Sequence, residues 1–260
     1  MMKNVTTANW IGLWTLYDRE VKRFIKVYMQ TIIAPVVTTF LFLGIFALAL
    51  GRASKVVDGV PFLQFLAPGL VMMAIAQNAF ANTSSSMVIA KIQGNIVDTL
   101  MPPLTAFDLT FAMALGGATR GLVVGAVVIA AMAFFVPLQI HHLGFILFHG
   151  FAASLMLSLL GLVGGIWSVK FDHIAAVTNF IVTPLSFLSG TFYSVSRLPE
   201  TFQAVVLFNP FFYMIDGFRY GFIGRADASP TLGVLVMLGV NAALWLLVHR
   251  MFATGYRLKA

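Results

Sequence analysis

Two short polar stretches between apolar runs hold the residue types that a mechanical contact with another protein needs. Lys91, Gln93, Asp98 and Pro102 fall in the stretch 91–103, and Lys170 and Asp172 in the turn 170–173. The first stretch ends at Pro102-Pro103, which predicts a short cytoplasmic helix stopped by proline. Such a segment, seated in a groove of a partner, would transmit a rigid-body push to the attached spans. Lys91 and Asp98 either pair with partner charges or are solvated loop charges. Arg120 poses another question, because it lies inside a long apolar run where a buried charge is costly. It either contacts the anionic headgroup of a lipid-like substrate or snorkels to the cytoplasmic interface, with the span beginning near Gly121. Asn78 and Asn82, small polar groups predicted to face other helices, join Arg120 as a candidate substrate path. A third group is Tyr193, Glu200, Asn209, Pro210, Tyr213, Arg219 and Tyr220. These aromatic and polar residues suit either an outer gate or an anchor in the headgroup layer. Within the group Glu200 and Arg219 have opposite charge and could pair. Adjacent His141 and His142 suit an interface turn better than chelation, and His149 has no carboxylate near it, so no metal is expected. Paired carboxylates and a nucleophile beside a base are not apparent, which argues against an enzyme.

The elements that must position these residues are apolar helices. The chain has 260 residues, of which 60% are hydrophobic and only 10% charged, and its mean hydropathy is +0.93. Soluble domains carry roughly 25% charged residues, so lipid must be the solvent for much of this chain. At about 20 residues per crossing, spans are predicted at 32–50, from 65 onward, 107–136, 143–169, from 173 through a kink at Thr183-Pro184 and Ser189-Gly190, and 232–248. Residues 51–61 form a short polar loop. Gly117, Gly121 and Gly125, and again Gly161 and Gly165, repeat every four residues and favour close helix packing. The segment 192–224 is too polar to cross and too apolar to be a free loop. It is predicted to form short helices that dip into the outer leaflet under a cover of protein.

The first thirty residues have no uninterrupted apolar core of the signal-peptide kind. Trp10, Leu13, Trp14, Tyr17, Val21, Phe24 and Tyr28 recur at spacings of three and four, with Arg19, Lys22, Arg23 and Lys26 mainly off that stripe. This is a basic amphipathic helix, lying in the headgroup layer or packed as a solvated helix on a partner. The net charge of +7 sits at chain ends and between apolar runs, which favours an anionic bilayer over nucleic acid. Lys3, Arg19, Lys22, Arg23, Lys26, Lys91, Lys170, Arg250, Arg257 and Lys259 fall on one side, and Arg52, Lys55, Arg197, Arg219 and Arg225 on the other. That asymmetry places both termini in the cytoplasm. The chain has no cysteine, so neither disulfides nor thiolate metal sites arise. One membrane domain over 1–260 is expected, with an amphipathic helix at 1–30, spans over 31–250 and a cytoplasmic tail at 251–260.

Several runs resemble the bacterial ABC-2 type permeases. Phe65-Leu66-Ala67-Pro68-Gly69-Leu70 is similar to the opening of their second span. Ala90-Lys91-Ile92-Gln93 through Asp98, Leu100 and Pro102 or Pro103 resembles their cytoplasmic segment, although Asp98 stands where many members carry glutamate. Pro184-Leu185-Ser186-Phe187-Leu188-Ser189-Gly190-Thr191-Phe192-Tyr193, followed by Leu198-Pro199, Asn209-Pro210 and Gly217-Phe218-Arg219-Tyr220-Gly221, resembles the branch that exports drugs, lipo-oligosaccharides and polysaccharides. The likeness covers nearly the whole chain. It implies an all-α integral membrane fold of six transmembrane helices, with an interfacial amphipathic helix and re-entrant outer-leaflet helices between spans 5 and 6. It further implies the membrane half of an exporter in the inner membrane, acting as a homodimer in contact with membrane lipid. A separate ABC ATPase would bind ATP and Mg. The chain itself has no G-x-x-x-x-G-K-[ST] phosphate loop. An ion- or proton-coupled secondary carrier is the alternative, but it would normally place ionisable groups deep in the membrane.

Overall fold

A computed structural model describes residues 9–50, 56–57 and 59–258 of the chain. Lys3, Arg52, Lys55 and Lys259, used above for orientation, lie outside the described residues. Six helices among the described residues are long and apolar enough to cross a membrane. They alternate in direction, so the bundle has two ends. One end carries helix α1 (Trp10–Ile25) and the short helix α4 (Ile96–Leu100), and the other carries α9 (Glu200–Leu207) and α10 (Pro210–Ile223).

Helix α1 (Trp10–Ile25) is capped by Asn9, whose side chain accepts from Gly12 N. A π-helical turn, Met29–Ile33, leads into α2 (Ala34–Leu50). The wider turn comes just before Pro35, where a regular helix would lose a hydrogen bond and meet the proline ring. A two-residue hairpin, β1 (Val56–Val57) and β2 (Val60–Pro61), turns at Gly59 with φ +82, where sequence alone suggested only a loop. Helix α3 (Phe62–Ile92) follows and is buried over most of its length. The predicted cytoplasmic helix is shorter than expected. Lys91 belongs to the last turn of α3, and only α4 (Ile96–Leu100) forms separately. Gly94, with φ +74, makes the turn between them.

Helix α5 (Ala106–Met132) starts with a reciprocal cap. Asp108 N donates to Thr105 Oγ1 at 3.1 Å, and Thr105 N donates to Asp108 Oδ2 at 2.9 Å. It ends four residues short of the predicted span. Helix α6 (Leu143–Trp167) returns to the α4 end. Helix α7 (Phe171–Val177), a π-helical turn Thr178–Val182 and α8 (Thr183–Leu188) form one continuous helical run. Where a kink was expected stands this second π-helical turn, again just ahead of a proline, Pro184. Helix α9 (Glu200–Leu207) is largely exposed, whereas α10 (Pro210–Ile223) is largely buried. Helix α11 (Pro230–Thr254) ends at Gly255 with φ +68 and runs beyond the predicted boundary of 248.

Helices α3, α5 and α6 form the inner layer, and α10 packs into them from its own end. The glycine stripes explain that layer. A Cβ on Gly117 would collide with Ser158 and Thr83, and one on Gly121 with Ser154 and Ala79. Gly161 and Gly165 likewise admit the α3 backbone at Phe80 and Ser84. Hydroxyls bond across the close contacts: Ser154 Oγ to Ala118 O at 2.8 Å, Ser158 Oγ to Ala114 O at 2.7 Å, and Thr83 Oγ1 to Ser158 O at 2.7 Å. The spans 29–49, 171–188 and 230–254 form an outer layer that leaves most of its apolar surface open.

Candidate functional site

A polar ladder runs along one face of α3. Asn78, Asn82 and then Ser85 and Ser86 follow at helical spacing. Each rung meets a charge from another helix. Arg120 of α5 donates from Nη2 to Asn78 Oδ1 at 3.0 Å. Arg23 of α1 donates to the Asn82 carbonyl, to Asn82 Oδ1 at 3.1 Å and to Ser85 Oγ at 3.3 Å. Ser86 Oγ donates to Glu20 Oε1 at 2.9 Å. Glu20, only 1% exposed, also pairs with Arg23 at 3.3 Å and Arg19 at 3.4 Å. The acid reaches this depth because Gly116 lets it: a Cβ there would overlap the Glu20 side chain. The spare hydrogen-bonding groups of the two arginines and Asn82 are donors. Arg120 Nε, Arg23 Nε and Asn82 Nδ2 are buried with no hydrogen-bond partner among the described residues.

Asn78 also borders a cavity of about 210 Å³ between α2 and α3. Its walls mix the amides of Gln30 and Gln77 and the hydroxyls of Thr38 and Thr39 with Phe42, Leu70 and Met73. The three residues singled out from sequence as a path therefore stand together. Neither expected reading of Arg120 describes its observed partner, which is Asn78. Asn82 is instead occupied by α1. The amphipathic helix is two-sided. Leu13, Leu16, Glu20 and Phe24 face the bundle, while Trp10 and Trp14 are exposed.

The residues expected to couple to a partner divide in two. Gln93, Asp98, Pro102, Lys170 and Asp172 are all exposed at the same end of the bundle. Lys91, at the same end, is half-buried and turned toward α6. Its Nζ donates to the carbonyls of Gly165, Ile166 and Ser168, closing the C-terminus of α6. A cation there satisfies carbonyls that no further helical turn can reach. Beside α4 and α1 lies a groove of about 680 Å³ whose rim includes Arg19, Lys22, Lys26, Gln93 and Asn95.

At the opposite end four of the expected gate residues gather at one turn. Asn209 Nδ2 donates to Leu185 O at 3.0 Å and Ser189 Oγ at 2.9 Å, while its Oδ1 caps α10 at Phe211 N. Pro210 follows at the first helical position, where its missing N–H does no harm. Tyr193 Oη donates to Leu188 O at 3.0 Å, and partial burial pushes that hydroxyl's pKa up. Arg219 Nη2 donates to Gly190 O at 2.7 Å, its Nε donates to Phe65 O at 3.3 Å, and its guanidinium lies 3.9 Å from the Phe65 ring centre. Gly69 leaves room for this meeting, since a Cβ there would strike Thr191 O. Runs far apart in sequence thus meet at Arg219.

The expected Glu200–Arg219 pair does not form. Glu200 is exposed on α9, and the ion pairs among the described residues do not include it. Tyr220 faces another way, 4.9 Å from the Phe145 ring and 5.5 Å from that of His142. His141 and His142 stack on each other at 4.5 Å and both donate their backbone N–H to Gly221 O. His149 is buried against Gly217.

Two acids at this end escaped sequence reasoning. Asp216 accepts from Asp227 N at 2.8 Å and Ala228 N at 3.0 Å. Asp227 accepts from Ser194 Oγ and Val195 N, each at 2.8 Å. Together they tie α10 to the loop before α11 and that loop to 194–195. Burial pushes the Asp216 carboxyl up to about 6, although the two N–H groups and the nearby Arg219 guanidinium favour its ionised form. The three-residue spacing of Asp216 from Arg219 was the available sequence signal.

Known proteins share this sequence along its length. The ABC-2 type transporter family matches residues 12–223. An Escherichia coli K12 protein named inner membrane transport permease YadH is 39% identical over 245 residues, covering 93% of this chain and 96% of that protein. Nodulation protein J of Sinorhizobium fredii is 28% identical over 235 residues, covering 87% and 86%, and its namesake in Rhizobium meliloti is 26% identical over 238 residues, covering 89% and 86%. With six apolar helices, an all-α bundle and a family match across most of its length, the chain belongs to the ABC-2 type transporters.

Proposed function

We propose that this chain is the transmembrane permease subunit of an ATP-driven exporter in the inner membrane. It moves an amphipathic lipid-, glycolipid- or drug-like molecule, and a separate ABC ATPase binds the ATP and Mg. The whole chain acts as one membrane domain, and two copies form the pathway. Both termini and the α4 end face the cytoplasm, and α9 and α10 sit as re-entrant helices in the outer leaflet. The faces that α2 and α7–α8 leave open are available to the second copy. The name of the Escherichia coli relative supports the location and the permease role.

The observation that carries the reading is the donor-rich ladder beside the α2–α3 cavity. Arg120, Asn78 and the cavity amides can meet the oxygens of a polar headgroup, while Phe42, Leu70 and Met73 meet an apolar body. Asp98 and Gln93, with Pro102, Lys170 and Asp172, offer the ATPase an exposed contact at the same end. Tyr193, Asn209, Pro210 and Arg219 hold the outer turn shut, with Glu200 and Tyr220 on the surrounding surfaces.

Purification in mild detergent with mass spectrometry of co-eluting proteins tests the partnership. Recovery of a phosphate-loop ATPase, and ATP-dependent export after joint reconstitution, are the expected results. Hydrolysis of ATP by the purified chain alone, or transport driven by a proton gradient without ATP, would overturn the reading. Arg120→Gln should lower substrate-stimulated ATPase activity of the complex more than it lowers membrane yield. Equal loss of both would make Arg120 structural.

A further inference from the structure

A groove of about 410 Å³ opens between the last turns of α6 and α11, within the size range of small-ligand sites. Its walls are Val163 and Trp167 from α6 and Leu247 and Met251 from α11, with Tyr256 and Arg250 at its edge. Trp167, Leu247 and Tyr256 are each more than 40% exposed, so apolar surface stays open at the end of two candidate spans. Nothing in the polar ladder or the outer turn uses it.

The chemistry of the groove divides along its length. Toward the bundle it is aliphatic. Toward the end of the helices it gains two aromatic rings and the Arg250 guanidinium. Arg257 donates from Nη1 to Trp167 O at 3.1 Å and lies 5.7 Å from the Tyr256 ring centre, which fixes the aromatic rim. Arg250 is exposed and joins no ion pair among the described residues. An apolar slot that ends in aromatic rings and an unneutralised cation complements a molecule with an acyl chain and an anionic head.

We infer that the α6–α11 groove binds an anionic glycerophospholipid of the surrounding leaflet, one acyl chain along Leu247, Met251 and Val163 and the phosphate against Arg250. The charge selects the lipid. A zwitterionic phospholipid of the same chain length fills the slot without that selection.

Trp167 is a built-in reporter. The chain has four tryptophans, so changing Trp10, Trp14 and Trp245 to Phe leaves Trp167 alone. This variant is reconstituted in phosphatidylcholine bilayers holding a small fraction of brominated-chain phosphatidylglycerol or brominated-chain phosphatidylcholine. The anionic lipid should quench Trp167 about five-fold more effectively per molecule, the factor expected from one basic residue near anionic lipid. Arg250→Gln should abolish the preference and Arg250→Lys should keep it. Equal quenching by both lipids, a preference that survives Arg250→Gln, or no quenching because a second copy covers the groove would each overturn the proposal. Native mass spectrometry of the unaltered chain, with and without Arg250→Gln, reads the same preference without the tryptophan changes. Retention of phosphatidylglycerol that is insensitive to Arg250→Gln would overturn it equally.

Discussion

Glu20 is the one buried acid of α1, and Ser86, Arg23 and Arg19 converge on it. Removing it leaves Arg23 half-buried beside Asn82 with no counter-charge, the situation that makes broken buried pairs costly. Glu20→Ala should lower unfolding stability in detergent by about 3 kcal/mol, read as a drop in thermal midpoint. Glu20→Gln, which keeps an acceptor for Ser86, should cost less. An unchanged midpoint in Glu20→Ala would show that the ladder does not depend on its charge. Sequence alone hid this residue because Glu20 sits among four basic residues on a helix that reads as a membrane-surface element. The faint clue lay elsewhere, in Gly116-Gly117, whose missing side chains make room on α5. Arg120, Asn78 and Asn82 were visible because polar groups in apolar runs draw attention. Their individual partners were not, since a contact between residues 78 and 120 depends on how two helices meet.

At the scale of elements, apolar length and small-residue spacing made the six long helices and the packing of α3, α5 and α6 legible. Close contact through Gly117 is a strict requirement. Gly117→Leu should abolish stable folded protein, costing about 3 kcal/mol through overpacking, whereas Gly239→Ala on α11, with nothing within 4 Å, should be neutral or stabilise by up to about 1 kcal/mol. Equal yields by size-exclusion chromatography would refute the distinction. The boundaries near 91–103 were harder to read because Lys91 lies in the last turn of a long helix and the next helix is only five residues long. That division lets the two segments be tested separately. Asp98→Ala, at an exposed position, should leave stability within about 0.5 kcal/mol while uncoupling ATP hydrolysis from transport. Lys91→Ala should instead lower stability by about 1–2 kcal/mol, because it uncaps α6. Coupled transport in Asp98→Ala would remove α4 from the drive.

For the molecule as a whole, the absence of cysteine makes its sidedness directly measurable. A cysteine placed at exposed Ser196 should react with a membrane-impermeant maleimide on intact spheroplasts, and one placed at exposed Asn95 only after permeabilisation. The reverse pattern would invert the proposed orientation. Charge asymmetry led to that orientation from sequence, whereas the meeting of Phe65, Gly190, Asn209 and Arg219 at one turn could not be foreseen, because it joins stretches more than a hundred residues apart. One contact at the other end has a further result. Lys91 and Arg257 together clasp four successive carbonyl oxygens, those of residues 165 to 168, so the tails of three helices share a single knot. A displacement beside Ile92 would therefore be felt first at the tail of α6, the inner helix these two cations fasten to its neighbours.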